Sequence, residues 1–342
     1  MHEDLRKLSN LSQDIGNDLN LIQGAGGNTS VKINDELWVK ASGYWLSDAT
    51  QKGIFVPVNY KKVIDGVYKK IDDPVSEAII LTNDTKGLRP SIETTLHAVM
   101  PQKYVVHTHS VNVIANTIAQ SYLLELEERL QDLNWGIVDY AKPGLPLTQG
   151  VREVAEAGAD VIILANHGIV IASNNIDELK NKINDVEKRL HRSARVTEKK
   201  FESKKAHDLI QQTEYVLPKY ELIHSLALDG EMIKIVSRRS LYPDHVVFIG
   251  PGPMTVMNLK EADRLFSSNN TQHKIVIVKD IGVVVHKTSS ENMIGMLHCL
   301  ANVLLRTKPK EKLHYLSEQD ELDLSGWDAE KYRQSIEKRE IN

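Results

Sequence analysis

The stretch Val161-Ile162-Ile163-Leu164-Ala165-Asn166-His167-Gly168-Ile169-Val170-Ile171 decides the fold. Two short β-branched, apolar runs flank Asn-His-Gly, and such runs read as strands buried on both faces, with the glycine permitting a tight turn between them. Immediately after, Ile176, Leu179, Ile183, Val186 and Leu190 recur at steps of three and four, one apolar stripe on a helix whose other face is Asp, Glu, Lys and Arg. A strand, a turn, a strand and an amphipathic helix make an α/β unit. Upstream, Tyr104-Val105-Val106 reads as another buried strand and Leu37-Trp38-Val39-Lys40 as a shorter one, so residues 1 to about 200 form one α/β domain.

Downstream, residues 200 to about 220 are polar without strong periodicity and read as a linker, which sets the expected domains at 1–205 and 206–342. The second half echoes the first. Residues 275–285 can be laid over 161–171, hydrophobic on hydrophobic and Gly282 on Gly168, and the stripe Ile294, Leu297, Leu300, Leu304 follows a capping-type Ser289-Ser290-Glu291. His245-Val246-Val247-Phe248-Ile249-Gly250 likewise resembles Tyr104-Val105-Val106-His107-Thr108-His109. In this alignment Phe248, Gly250 and Ile281 stand where the first half has His107, His109 and His167. The second half is therefore expected to be a smaller α/β domain, a degenerate partial repeat, although any two buried strand–Gly–strand units look alike. In either case the chemistry belongs to the first half.

Length and composition narrow the function classes. The 342 residues suffice for about two domains with substantial cores. Lys plus Arg total 42 against 46 Asp plus Glu, a net charge of −4 with no long block of one sign. Nucleic acid and anionic membrane surfaces are thereby disfavoured as partners, since both need clustered positive charge. The single Cys299 excludes an intrachain disulfide and any site built of several thiolates, and a reducing, cytoplasmic setting is expected. Met1-His2-Glu3-Asp4 opens neither a basic nor an apolar leader, and no apolar run approaches the roughly 20 residues that span a bilayer.

Side chains on a strand alternate, so His107 and His109 point to one side with imidazoles close enough to share a cation. His167 ends another buried strand. Three neutral imidazoles leave an open position on a zinc-like ion, although each ring could equally be an ordinary strand-end histidine held by hydrogen bonds. Glu93, in Pro90-Ser91-Ile92-Glu93, sits at a helix start, either as a carboxylate complementing the helix dipole or as a general base beside the metal. His97, four residues on, shares its face and reads as packing or as a partner of the ligands rather than a ligand. Gly24-Ala25-Gly26-Gly27-Asn28 and Ser42-Gly43 offer backbone N–H groups, an amide and hydroxyls that could cradle phosphate or carboxylate, with Lys40 adjacent to supply positive charge. The spacing is neither that of a dinucleotide-binding turn nor that of a phosphate loop.

Taken in order, Gly-Gly-Asn-Thr-Ser (26–30), Lys-Ala-Ser-Gly (40–43), Pro-Ser-Ile-Glu (90–93), His-Thr-His-Ser (107–110) and Asn-His-Gly (166–168) resemble the class II aldolase/adducin family over about residues 5–200. The second half looks like the extended C-terminal region of longer relatives. The resemblance implies a three-layer α/β/α domain around a mainly antiparallel sheet, with zinc held by His107, His109 and His167. It implies Glu93 as a resting-state ligand that swings away to act as acid/base, and phosphate contacts at Gly27, Asn28, Ser42, Gly43 and Ser91. Ile92 departs from the serine usual in the aldolases, and an apolar side chain cannot donate a hydrogen bond to phosphate. The activity implied is metal-dependent aldol cleavage or formation of a C–C bond in a ketose phosphate or related keto-sugar, through an enediolate. A sugar-phosphate dehydratase or 4-epimerase with the same metal site and a non-catalytic adducin-like assembly module are the alternatives. Epimerases of the family carry Asp where this chain has Glu93. The resemblance also implies a homo-oligomer, a tetramer foremost, with Tyr140 of a neighbouring subunit a candidate at the acceptor end.

Overall fold

The computed structural model describes residues 2–82, 85, 87–268 and 273–325. The chain divides into two compact units. The first holds the described residues up to Thr117 together with Ser121–His191, and the second takes in Ile118–Gln120 and the described residues from Arg192 onward.

The first unit is a seven-stranded sheet: β1 (Asn28–Ile33), β2 (Glu36–Lys40), β3 (Phe55–Asn59), β4 (Tyr104–Thr108), β5 (Trp135–Val138), β6 (Val161–Leu164) and β7 (Gly168–Ser173). Their order is β3-β2-β1-β4-β7-β6-β5, and every neighbouring pair is antiparallel except β5 and β6. Its helices are α1 (Glu3–Gly16), α2 (Tyr60–Tyr68), α3 (Thr94–Val99), α4 (Val111–Thr117), α5 (Tyr122–Leu130), α6 (Leu145–Glu156) and α7 (Ile176–Arg189). Strand alternation sorts the core into two faces. Val106, Val161, Ile163, Ile169 and Ile171 pack with α1 and α7, whereas Val105, Ile162, Leu164, Val170 and Ala172 pack with α3 and α6. The result is the three-layer α/β/α arrangement expected from sequence.

The second unit contains α8 (Ser203–Ile210), β8 (Tyr215–Val216), α9 (Ser225–Leu228), α10 (Gly230–Val236), β9 (Val256–Met257), α11 (Leu259–Ser267), β10 (Ile275–Val278), β11 (Gly282–His286), α12 (Glu291–Leu305) and α13 (Glu318–Ser325). Its sheet runs β8-β11-β10-β9. The order β9-α11-β10-β11-α12 parallels β5-α6-β6-β7-α7 of the first unit. In both, the first strand pairs parallel with the second and the last two form an antiparallel hairpin. The two hairpin turns even share a left-handed residue, Asn166 at φ 55° and Asp280 at φ 64°, residue types that tolerate that conformation.

Two expectations are corrected. Residues 245–249 form a single wide helical turn rather than a strand, closed by Gly250 at φ 120°, and β8 takes the place beside β11 that β4 takes beside β7. Tyr242-Pro243-Asp244 precedes that turn, and proline with an acidic residue is a helix-start signal that outweighs the β-branched run after it. Residues 200–220 are not a bare linker, because α8 buries Ala206 and Ile210 and β8 joins the sheet. Among the described residues no helix is long and apolar enough to cross a membrane.

Candidate metal centre

Register assembles the centre. β1 lies antiparallel to β4 with Asn28 opposite His107, so both side chains leave the sheet on one face, that of α3. His109 follows the end of β4, and His167 sits in the turn that leads into β7, the other neighbour of β4. Glu93 occupies the position just before α3 but caps nothing there with its side chain. Its carboxylate turns to the sheet instead, against the alternative reading as a helix cap.

Two glycines make the close packing possible. A side chain on Gly168 would place its Cβ 2.2 Å from the Thr108 carbonyl oxygen. Gly27, at φ 61°, would place one 2.3 Å from Ile22 and 2.9 Å from the His107 carbonyl oxygen. A Cβ at either position would push β1 or β7 away from β4.

The three rings form a triangle with centroid separations of 4.9, 5.0 and 5.0 Å. Ligand atoms of Glu93, His107, His109 and His167 all lie within 4.8 Å of one another, and all four residues are buried. His107 Nε2 is 3.1 Å from His109 Nε2 and 3.4 Å from Glu93 Oε2, and His167 Nε2 is 3.5 Å from Glu93 Oε1. These spacings match the edge of about 3.3 Å of a tetrahedron whose N and O donors lie about 2.0–2.1 Å from a central ion.

Proton placement makes the same point. His107 Nδ1 faces the Ile169 carbonyl oxygen at 3.0 Å, and a carbonyl only accepts, so the neutral ring carries its proton on Nδ1. The Nε2 lone pair then points at an anionic carboxylate, an unfavourable meeting unless a cation lies between them. Glu93 Oε1 is buried and takes no hydrogen bond from any described residue. Burial alone would raise the Glu93 carboxyl, but the protonated rings of His107, His167 and His109 that acid would produce, together with the Asn28 amide, outweigh it and hold the group down at about 2. The donor set fits a divalent cation.

Asn28 links this cluster to a second layer. Its amide nitrogen donates to Glu93 Oε2 at 2.8 Å and to Ser91 Oγ at 3.1 Å, and its carbonyl oxygen accepts from His97 Nε2. His97 Nδ1 meets Ser30 Oγ at 2.7 Å. Ser91 Oγ also accepts from the backbone N–H of Glu93 at 3.2 Å, which leaves its own proton to donate.

The other expected residues are placed less uniformly. Residues 24–28 are buried, not an exposed nest. Lys40 is buried with Nζ bonded to the carbonyl oxygens of Ala25 and Tyr44, both at 2.7 Å, so it ties the glycine turn to the loop that carries Ser42 and Gly43. The Ser42 N–H is taken by the Arg89 carbonyl oxygen at 2.8 Å. Gly43 is left-handed at φ 83°. Tyr140 follows β5, the edge strand, two strands beyond β7, and is not part of the cluster. A cavity of about 760 Å³ has Ser91, Ile92, Thr95, Arg89, Lys142 and Gly144 in its wall, with none of the four cluster residues. Sequence reasoning missed Ser30; its position two residues after Asn28 on β1 was the available signal.

Comparison with known proteins adds four observations. Residues 6–192 match the model of the class II aldolase and adducin N-terminal domain. An L-fuculose phosphate aldolase of Methanocaldococcus jannaschii is 29% identical over 178 residues, 50% of this chain and 84% of that one. An uncharacterized oxidoreductase of Bacillus subtilis is 31% identical over 183 residues, 49% of this chain, and the chain spans only 26% of that protein's length. Among solved structures, the N-terminal class II aldolase domain of a conserved protein from Thermoplasma acidophilum aligns with TM-score 0.47 and 25% identity, over 56% of this chain and 93% of that one.

Proposed function

The chain belongs to the class II aldolase and adducin family, and from that premise we propose that it is a zinc-dependent aldolase that cleaves or forms a C–C bond in a ketose phosphate or related keto-sugar. The observation that carries this reading is the buried convergence of Glu93 with His107, His109 and His167. A non-catalytic assembly module has no use for three imidazoles and a carboxylate desolvated together. When bound, the zinc ion supplies a Lewis acid that lowers the free energy of negative charge on the substrate's carbonyl oxygen by several kcal/mol.

The chain's own groups do the rest. His107, His109 and His167 hold the ion, with the His107 ring fixed by the Ile169 carbonyl oxygen. Glu93 moves the proton at the donor carbon: after cleavage it delivers one there, matching the proton given up by the substrate hydroxyl, and in the synthetic direction it removes it. General acid–base help of this kind contributes about 10²–10⁴-fold. Ser91 donates its hydroxyl proton to the anionic end of the substrate, and Arg89 and Lys142 bring positive charge to the same cavity. Ile92 offers that end an apolar wall. Gly27, Ser42 and Gly43 complete the turn around it, and Lys40 keeps that turn in place. In a homo-oligomer, foremost a tetramer, Tyr140 of a neighbouring copy serves the acceptor end. The second unit carries no part of the chemistry. The setting is cytoplasmic.

The test is to incubate the zinc-loaded protein with ketose phosphates and unphosphorylated keto acids and to identify products by mass. Two carbonyl fragments from one substrate support the reading. One diketone and water point to a dehydratase, and recovery of an epimer points to an epimerase; either would overturn it.

A further inference from the structure

We propose that His97 is a positioning residue: locked by Ser30, it fixes the orientation of the Asn28 amide and so aims the Glu93 carboxylate at the metal position. The inference rests on the metal-site reading above.

The argument starts from what each atom can do. Asn28 Oδ1 can only accept, so the His97 Nε2 that meets it must be the protonated nitrogen. In the neutral ring Nδ1 is then the acceptor, and the Ser30 hydroxyl donates to it at 2.7 Å. With its oxygen committed to His97, the Asn28 amide has one way to face the carboxylate, nitrogen first. It does so at 2.8 Å from Glu93 Oε2. A flipped amide would set an oxygen against a carboxylate oxygen. The chain Ser30, His97, Asn28, Glu93 is thus polarised in one direction from end to end, and each member is buried.

The placement of these residues supports a dedicated device. Asn28 and Ser30 lie two apart on β1 and share the face that α3 covers, and α3 brings both Glu93, at its start, and His97. Thr29, between them, faces the other way and bonds Ser12 of α1. Desolvated between Asn28 and Ser30, the ring has one tautomer that satisfies both partners, and one tautomer keeps one amide orientation. Polar groups behind a ligand commonly set metal affinity by about 10–100-fold.

The experiment measures Zn²⁺ affinity by competition with a chromophoric chelator, and ligand geometry from the visible absorption of the Co²⁺-loaded protein. The proteins are wild type, His97→Leu, His97→Gln and Ser30→Ala. Glutamine can donate to Asn28 and accept from Ser30, whereas leucine can do neither. The expected result is Zn²⁺ binding weakened about 10–100-fold in His97→Leu with a shifted Co²⁺ band, and recovery of most of that loss in His97→Gln. Unchanged affinity in His97→Leu, or equal loss in the Leu and Gln variants, overturns the proposal. If His97→Leu fails to fold, Ser30→Ala carries the test, since it removes only the Nδ1 partner; wild-type affinity and spectrum in that variant overturn it too. These readouts do not depend on the reaction, so a wild type that binds zinc but cleaves no sugar removes the proposed activity alone. A wild type that binds no zinc removes both.

Discussion

His107 Nε2 stands 3.4 Å from Glu93 Oε2, while the proton of its ring is on the far side, held by the Ile169 carbonyl oxygen. A lone pair and a carboxylate that face each other at this distance repel, and the fold holds them there with β1, β4 and β7 in register. Such an arrangement stores affinity for a cation.

The purified protein should therefore hold about one divalent transition-metal ion per chain, a count set by the one four-donor cluster found among the described residues. Stripping it with a chelator should lower Tm, and restoring the ion at about 100 times its Kd should return about 2.7 kcal/mol of stability. Elemental analysis and thermal scans read both. A chain with no ion and no response to added metal contradicts the centre.

Glu93→Gln keeps the size of the side chain and removes its basicity. Turnover should fall about 10²–10⁴-fold while the three imidazoles retain a bound ion. Loss of the ion with the activity would assign Glu93 to binding alone.

Gly168→Ala should be among the most damaging single changes in the first unit. Its Cβ would meet the backbone oxygen of Thr108 at 2.2 Å, and backbone cannot rotate aside as a side chain can. Destabilisation of about 3 kcal/mol or more, with loss of the ion, is expected in a denaturant titration.

Lys40→Met separates a clamp from a substrate contact. The buried ammonium holds the carbonyl oxygens of Ala25 and Tyr44, and methionine leaves both without that donor. The expected loss is about 3 kcal/mol of stability. A stable variant with a raised KM would instead place the charge against substrate.

Acid should weaken the second unit before its carboxylates protonate. Burial pushes His224 and His245 down to about 4. Below their unfolded value of about 6.5 the unfolded chain takes up protons that the folded one refuses, so stability falls as pH drops from there toward 4, by up to about 1.4 kcal/mol per pH unit for each ring. Chemical denaturation at pH 7 and pH 5 measures this. His245→Asn should flatten the dependence; an unchanged slope would mean that His245 is protonated in the folded chain.

Much of the site was legible because its parts are local. His107 and His109 share a strand face by alternation alone, and Val161–Ile171 carries its own turn signal. The α/β class followed from strand runs too apolar to leave a face in water, and the three-layer arrangement was what the family resemblance implied. What sequence hid was pairwise: that Lys40 would be consumed by two carbonyls, that Ser42's N–H would be spent on Arg89, and that Glu93 would turn from its helix to the sheet. Those outcomes depend on which distant segment comes to lie alongside, and a single chain of letters does not specify that pairing. At His245 local and distant preferences conflicted, and the proline two residues before it prevailed over the β-branched run.

Strand order also governs when the centre comes into being. β4 lies between β1 and β7, and each of these is far from it along the chain. Long-range pairings of that kind close late, because the loops they bridge must first lose their freedom. The donors therefore meet only in a nearly finished sheet, and capture of the ion is a final seal on folding rather than a seed for it.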